Sequence, residues 1–114
     1  MKDLEDWISK LREFDGAIIV EGKKDKIALE KLGAKNIITI KGALFNVVEE
    51  IVKKYKKVAI LTDLDKKGKE LYSKLKKSLV SNGIKIEDKF RIFLFRKTKL
   101  RQIEGLIHYI EKNL

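Results

Sequence analysis

Cysteine and proline are both absent from the 114 residues, and histidine and tryptophan occur once each. Without cysteine there is no disulfide, no thiolate nucleophile and no Cys-ligated zinc. His108 is the lone histidine, which excludes a His-cluster metal site and leaves little for a His-based triad. No apolar run approaches the length that spans a membrane. The opening MKDLEDWISKLREFD is charged and amphipathic, unlike a signal peptide. These absences lead us to expect a cytoplasmic chain, without membrane contact, whose chemistry rests on carboxylates, lysines and hydroxyls.

Hydrophobic residues make up 44% and charged residues 39%, the balance of a folded domain rather than a disordered chain. The length suits one domain, and 1–114 is read as a single unit without repeat, linker or low-complexity segment. Lys+Arg number 27 against 17 Asp+Glu, for a net charge of +10. Two readings of that charge stand side by side: a polyanionic partner, or the lysine-rich surface of a heat-adapted protein.

Hydrophobic spacing divides the chain. Leu4, Trp7, Ile8, Leu11 and Phe14 give an N-terminal helix over about 3–14, stopped by Asp15-Gly16. AIIV (17–20), NIITI (36–40), VAIL (58–61) and RIFLF (91–95) read as four strands, within a core of 17–95. Between them, helices are expected over 23–32, from Leu44 to about Lys54, and over 66–80, with a last helix over about 101–112. This alternation predicts an α/β protein with a mostly parallel four-stranded sheet and helices on both faces. Right-handed crossovers then bring the C-terminal ends of the strands to one rim, where open α/β sheets bind ligands.

Three strands end in polar corners: VEGKKD (20–25), TIKG (39–42) and LTDLD (61–65). Glu21, Asp63 and Asp65 at adjacent strand ends repel one another unless a cation lies between them. Mg²⁺ suits such oxygen donors, and Mn²⁺ is the alternative. Asp65 also has a purely structural reading as the N-cap of the helix beginning near Lys66. That reading leaves Asp63 and Glu21 unexplained. Asp25 is either a favourable first-turn charge or an orienting group for a nearby lysine. Lys23, Lys24, Lys66 and Lys67 stand at helix starts, where the dipole disfavours cations and a phosphate would reverse the sign. Lys41 is a further candidate phosphate contact, and Arg96, Lys97, Lys99 and Arg101 extend the basic surface.

VEGKKD, TIKG and TDLDKKG together resemble the Toprim domain of primases, type IA and type II topoisomerases, OLD-family nucleases, RecR-type recombination proteins and ribonuclease M5. The likeness runs from about Ala17 to Phe95 and is nearest to the small stand-alone members of the family. It implies a Rossmann-like Toprim fold, with the family's glutamate at Glu21, its Asp-x-Asp pair at Asp63 and Asp65, and its following glycine at Gly68. Gly22, Asp25 and Gly42 match weaker positions, and IEGLIHYIE (103–111) places Glu104 at a terminal acidic position. The resemblance implies Mg²⁺-dependent nuclease or phosphoryl-transfer chemistry on DNA or RNA. The alternative is a nucleic-acid-binding or complex-forming accessory domain that catalyses nothing alone, with a homodimer or larger complex enlarging its surface. Trp7 is expected to anchor the N-terminal helix on the sheet and His108 to lie at the surface. Tyr55 and Tyr72 lack a neighbouring base and are poor nucleophiles.

Overall fold

The computed structural model describes residues 3–114. Its two central strands are the apolar runs AIIV and VAIL, whose lack of polar alternation follows from burial on both faces. They form β1 (Ala17–Val20) and β3 (Lys57–Ile60), flanked by β2 (Ile37–Thr39) and β4 (Lys85–Ile86) in the order β2-β1-β3-β4. All pairings are parallel, with Ile19 opposite Ile38 on one side and Ile18 opposite Ala59 on the other.

Side chains alternate across the sheet with period two, and each face has its own apolar layer. Ile18, Val20, Ala59 and Leu61 face α1 (Leu4–Glu13), α2 (Lys23–Lys31), α5 (Lys89–Lys97) and α6 (Leu106–Asn113). Ala17, Ile19, Val58 and Ile60 face α3 (Leu44–Lys54) and α4 (Lys66–Ser81) through Val47, Val48, Ile51, Leu75 and Leu79. The three-to-four spacing of those last residues is what places them on single helical faces.

Helix α1 is capped by Asp3, whose Oδ1 accepts from the Asp6 N–H at 2.9 Å. It presents Trp7, Ile8 and Leu11 to the first layer. Trp7 is fully buried and anchors the helix, donating from Nε1 to the Phe90 carbonyl at 3.0 Å with its ring edge-on to Phe90. Burial of an indole requires such a partner for its N–H.

One expected strand is a helix. RIFLF (91–95) lies within α5, and the fourth strand is instead the two-residue β4, paired with Lys57 and Val58. A short apolar run has the same composition in a buried strand and a buried helix. Phe90, Phe93 and Leu94, at helical spacing, point into the core while Ile92 is exposed, an arrangement a strand would not produce. The terminal helix also starts later than expected: Ile103–Gly105 form a 3₁₀ turn, and α6 follows from Leu106.

Candidate functional site

Because β2, β1 and β3 are neighbours and parallel, the corners after them meet on one rim. Glu21 follows β1. Asp63 and Asp65 follow β3. The Glu21 carboxylate reaches across and accepts from the Asp63 N–H at 2.7 Å. Asp63 accepts in turn, through Oδ1, from the Ile103 N–H at 2.9 Å, and Leu64 donates to the Arg101 carbonyl at 2.8 Å. The segment before α6 is thereby tied to the turn after β3, which brings Glu104 into electrostatic range of Asp25 and Asp63.

Asp65 is the N-cap of α4: its Oδ1 accepts from the Gly68 N–H at 2.7 Å. The structural reading of this residue is therefore correct, and it leaves the second carboxylate oxygen outside the cap. Gly68 has a steric reason of its own. A Cβ there would lie 1.9 Å from the Asp63 carbonyl oxygen, so only glycine lets the first turn of α4 pack on the Asp63 backbone. Asp25 occupies the equivalent third position of α2 and accepts from the Gly22 N–H at 3.1 Å. That hydrogen bond is the reciprocal half of a capping box. Gly42, with φ of +67°, holds a left-handed turn beyond β2 that favours glycine.

The carboxylates perturb one another in the direction expected of like charges. Burial, then the charges of Asp63 and Asp65, raise Glu21. Burial also raises Asp63, with further upward pressure from Asp65 and Glu104. Asp25, only 7% exposed, is pushed up to about 6 by burial and by the charges of Asp63, Glu21 and Glu104.

Among the described residues no three Asp, Glu or His side chains are drawn together as a formed metal site. The donor chemistry nevertheless fits a hard cation. Glu21, Asp63 and Asp65 are partly exposed oxygen donors; each has one oxygen engaged by a backbone N–H. Two of them, Glu21 and Asp63, are destabilised as anions by their surroundings. Mg²⁺ binds such groups through one or two carboxylates and keeps several waters.

The candidate lysines divide into two groups. Lys23 and Lys41 line a cleft of about 450 Å³ together with Glu21, Gly22, Lys26 and Thr39. Lys66 lies outside it, exposed at the first position of α4. Lys26 was not marked by the sequence; only its place three residues after Lys23, on the same helical side, points to it. Arg96 and Lys97 end α5, with Lys99 and Arg101 in the loop after it rather than beyond a strand. His108 is exposed.

Arg91 is the other residue that sequence reading missed, since a strand assignment hid it. It is 8% exposed, and its Nη1 donates to the Thr62 carbonyl and to Thr62 Oγ1. Its Nη2 donates to the Asp63 carbonyl at 3.2 Å. The guanidinium lies 4.5 Å from the centre of the Tyr72 ring and 5.1 Å from that of Phe95. An arginine inside an apolar run at helical spacing was the available signal.

An open parallel α/β sheet with carboxylates beyond the C-terminal ends of its central strands defines the class. The chain belongs to the Toprim family, whose Toprim domain model matches residues 16–96. A UPF0292 protein of Pyrococcus abyssi is 45% identical over 108 residues, covering 92% of this chain and 82% of the relative. A UPF0292 protein of Methanocaldococcus jannaschii is 37% identical over 110 residues, covering 92% and 86%. Among solved structures, a putative protein from Aquifex aeolicus superposes with a TM-score of 0.85 at 36% identity, covering 92% of this chain and 99% of the other. The zinc-binding and RNA polymerase domains of the Aquifex aeolicus primase match with a TM-score of 0.57 at 24% identity, covering 92% of this chain and 27% of that one. The likeness to the primase is one of fold.

Proposed function

We propose that this protein carries out Mg²⁺-dependent phosphoryl transfer or cleavage on a nucleic acid, with Glu21, Asp63 and Asp65 as the ion's ligands. The observation that carries this reading is the link from the Glu21 carboxylate to the Asp63 N–H, which joins the acidic corners of two adjacent strands. Held by these three carboxylates, the ion would supply neutralisation of phosphate charge and stabilisation of charge developing on the transferring oxygens. Glu21, raised by burial and by the charges of Asp63 and Asp65, either completes the ion's ligand set or acts as the general acid or base. Lys23, Lys26 and Lys41 provide phosphate contacts beside it. Such contacts give affinity and salt dependence without base preference. The membership of the Toprim family and the net charge of +10 both support a nucleic-acid substrate.

A second reading, a nucleic-acid-binding accessory domain without turnover, is favoured by the lack of three acidic side chains drawn together among the described residues. Labelled DNA and RNA, single- and double-stranded, incubated with and without Mg²⁺ or Mn²⁺, separate the two. The catalytic reading expects a metal-dependent product that disappears in the Asp63→Asn/Asp65→Asn double variant. Binding that survives that substitution, with no product from the parent protein, establishes the accessory role.

A further inference from the structure

We infer that Arg91 is a positioning residue for the acidic rim: it clamps the Thr62 and Asp63 carbonyls and so aims the Asp63 carboxylate. This rests on the reading of the rim as a cation site.

The chemistry of Arg91 is unusual for an interior residue. A buried guanidinium is unfavourable unless its donors are satisfied, and an apolar side chain would fill the same space. Among the described residues Arg91 forms no ion pair with a carboxylate. Its hydrogen bonds go to two consecutive backbone carbonyls and to one hydroxyl, all belonging to the turn that leaves β3. A planar fork with fixed donor spacing suits two such acceptors in a way that a lysine ammonium does not.

The surroundings fix the fork in turn. Tyr72 and Phe95 flank the guanidinium. The Tyr72 hydroxyl donates to Asp88 Oδ1 at 2.6 Å, and Lys76 Nζ lies 2.8 Å from Asp88 Oδ2. Rings, tyrosine hydroxyl and acid thus form a supporting shell outside the arginine.

The polar groups of Asp63 are then held from several sides. Its N–H donates to Glu21, its carbonyl accepts from Arg91, and its Oδ1 accepts from the Ile103 N–H. Gly68 closes the remaining approach to the carbonyl, which a Cβ would invade at 1.9 Å. Oδ2 takes part in none of these three bonds. Supporting groups of this kind orient ligands without touching the ion, and their loss typically weakens metal binding about 10–100-fold.

The test compares Arg91→Lys, Arg91→Met and the control Ile51→Val, which loosens the apolar layer on the opposite face of the sheet from α5. Mn²⁺ binding is followed by electron paramagnetic resonance, and amide hydrogen exchange is read at Asp63 and Ile103. Both Arg91 variants are expected to weaken Mn²⁺ binding about tenfold or more and to speed exchange at the two amides. Arg91→Lys keeps the charge, so its failure to rescue identifies the fork. Ile51→Val is expected to preserve both readouts despite its lower stability. Wild-type Mn²⁺ affinity together with wild-type protection in Arg91→Lys overturns the inference. Should the parent protein bind no Mn²⁺, the cation reading fails, and exchange at Asp63 and Ile103 still decides whether Arg91 holds the turn.

Discussion

The Glu21 carboxylate, at the end of β1, accepts a 2.7 Å hydrogen bond from the backbone N–H of Asp63, beyond the end of β3. Neighbouring parallel strands make that contact possible, and it couples two acidic corners 42 residues apart in the chain. One side chain therefore does two things: it orders the turn carrying Asp63 and contributes negative charge to the rim. The position of Glu21 is structural and electrostatic at once.

Gly68 provides the sharpest steric prediction. Gly68→Ala puts a methyl group 1.9 Å from the Asp63 carbonyl oxygen, so the first turn of α4 and the turn after β3 must separate. Overpacking of this sort lowers stability by about 1–3 kcal/mol, measurable by urea denaturation. Mn²⁺ binding is expected to weaken as well, because the Asp65 cap on Gly68 and the Asp63 backbone move together.

Burial of the rim carboxylates, with the repulsion among them, predicts a pH dependence. Asp25 has a folded-state value of about 6 against an ordinary 3.8. The folded protein therefore takes up that proton first as pH falls, and stability from this group is lost as pH rises through the interval between the two values. Glu21 and Asp63 are shifted in the same direction. Asp25→Asn keeps an oxygen for the Gly22 N–H while removing the charge. In metal-free buffer its melting temperature is expected to exceed the parent's at pH 7.5, with the difference vanishing near pH 4. A constant difference across that range contradicts the assignment.

Strands β1 and β3 and their shared rim were legible in the sequence, as was the placement of Glu21, Asp63 and Asp65 beyond the strand ends. An uninterrupted apolar run ending in acid or glycine is what a strand buried on both faces and opening onto a polar rim requires. The α5 segment was not legible. Its apolar run, RIFLF, is too short for periodicity to separate helix from strand, and the two-residue β4 is too short to announce itself. Arg91 was lost with that segment, although a cation between Phe90 and Phe93 on an otherwise buried face signals a polar target inside the fold. Loop closure was equally invisible: nothing in the composition of residues 99–105 tells that Arg101 and Ile103 pair with Leu64 and Asp63.

Trp7→Phe removes the indole N–H from the Phe90 carbonyl and leaves a gap at the junction of α1 and α5. Loss of the hydrogen bond and of part of the buried ring is expected to lower stability by about 1–3 kcal/mol. Chemical denaturation measures it.

The cleft beside Glu21 predicts a salt effect. Replacement of Lys23, Lys26 and Lys41 by glutamine, all three lining that cleft, is expected to weaken binding of DNA and RNA alike. Each phosphate left without its lysine reduces the slope of log affinity against log salt by about 0.7–0.9. Fluorescence anisotropy over a salt series reads the slope directly. An unchanged slope moves the phosphate path elsewhere, with the Arg96–Arg101 segment as the next basic surface.

The most direct measurement is a Mn²⁺ titration of the purified protein at neutral pH, followed by electron paramagnetic resonance and competed with Mg²⁺. The parent protein is expected to deplete the free Mn²⁺ signal, Mg²⁺ to restore it, and the Asp63→Asn/Asp65→Asn variant to lose the depletion while remaining folded. A parent protein that leaves the Mn²⁺ signal untouched, or a double variant that binds as the parent does, contradicts a cation site at the rim.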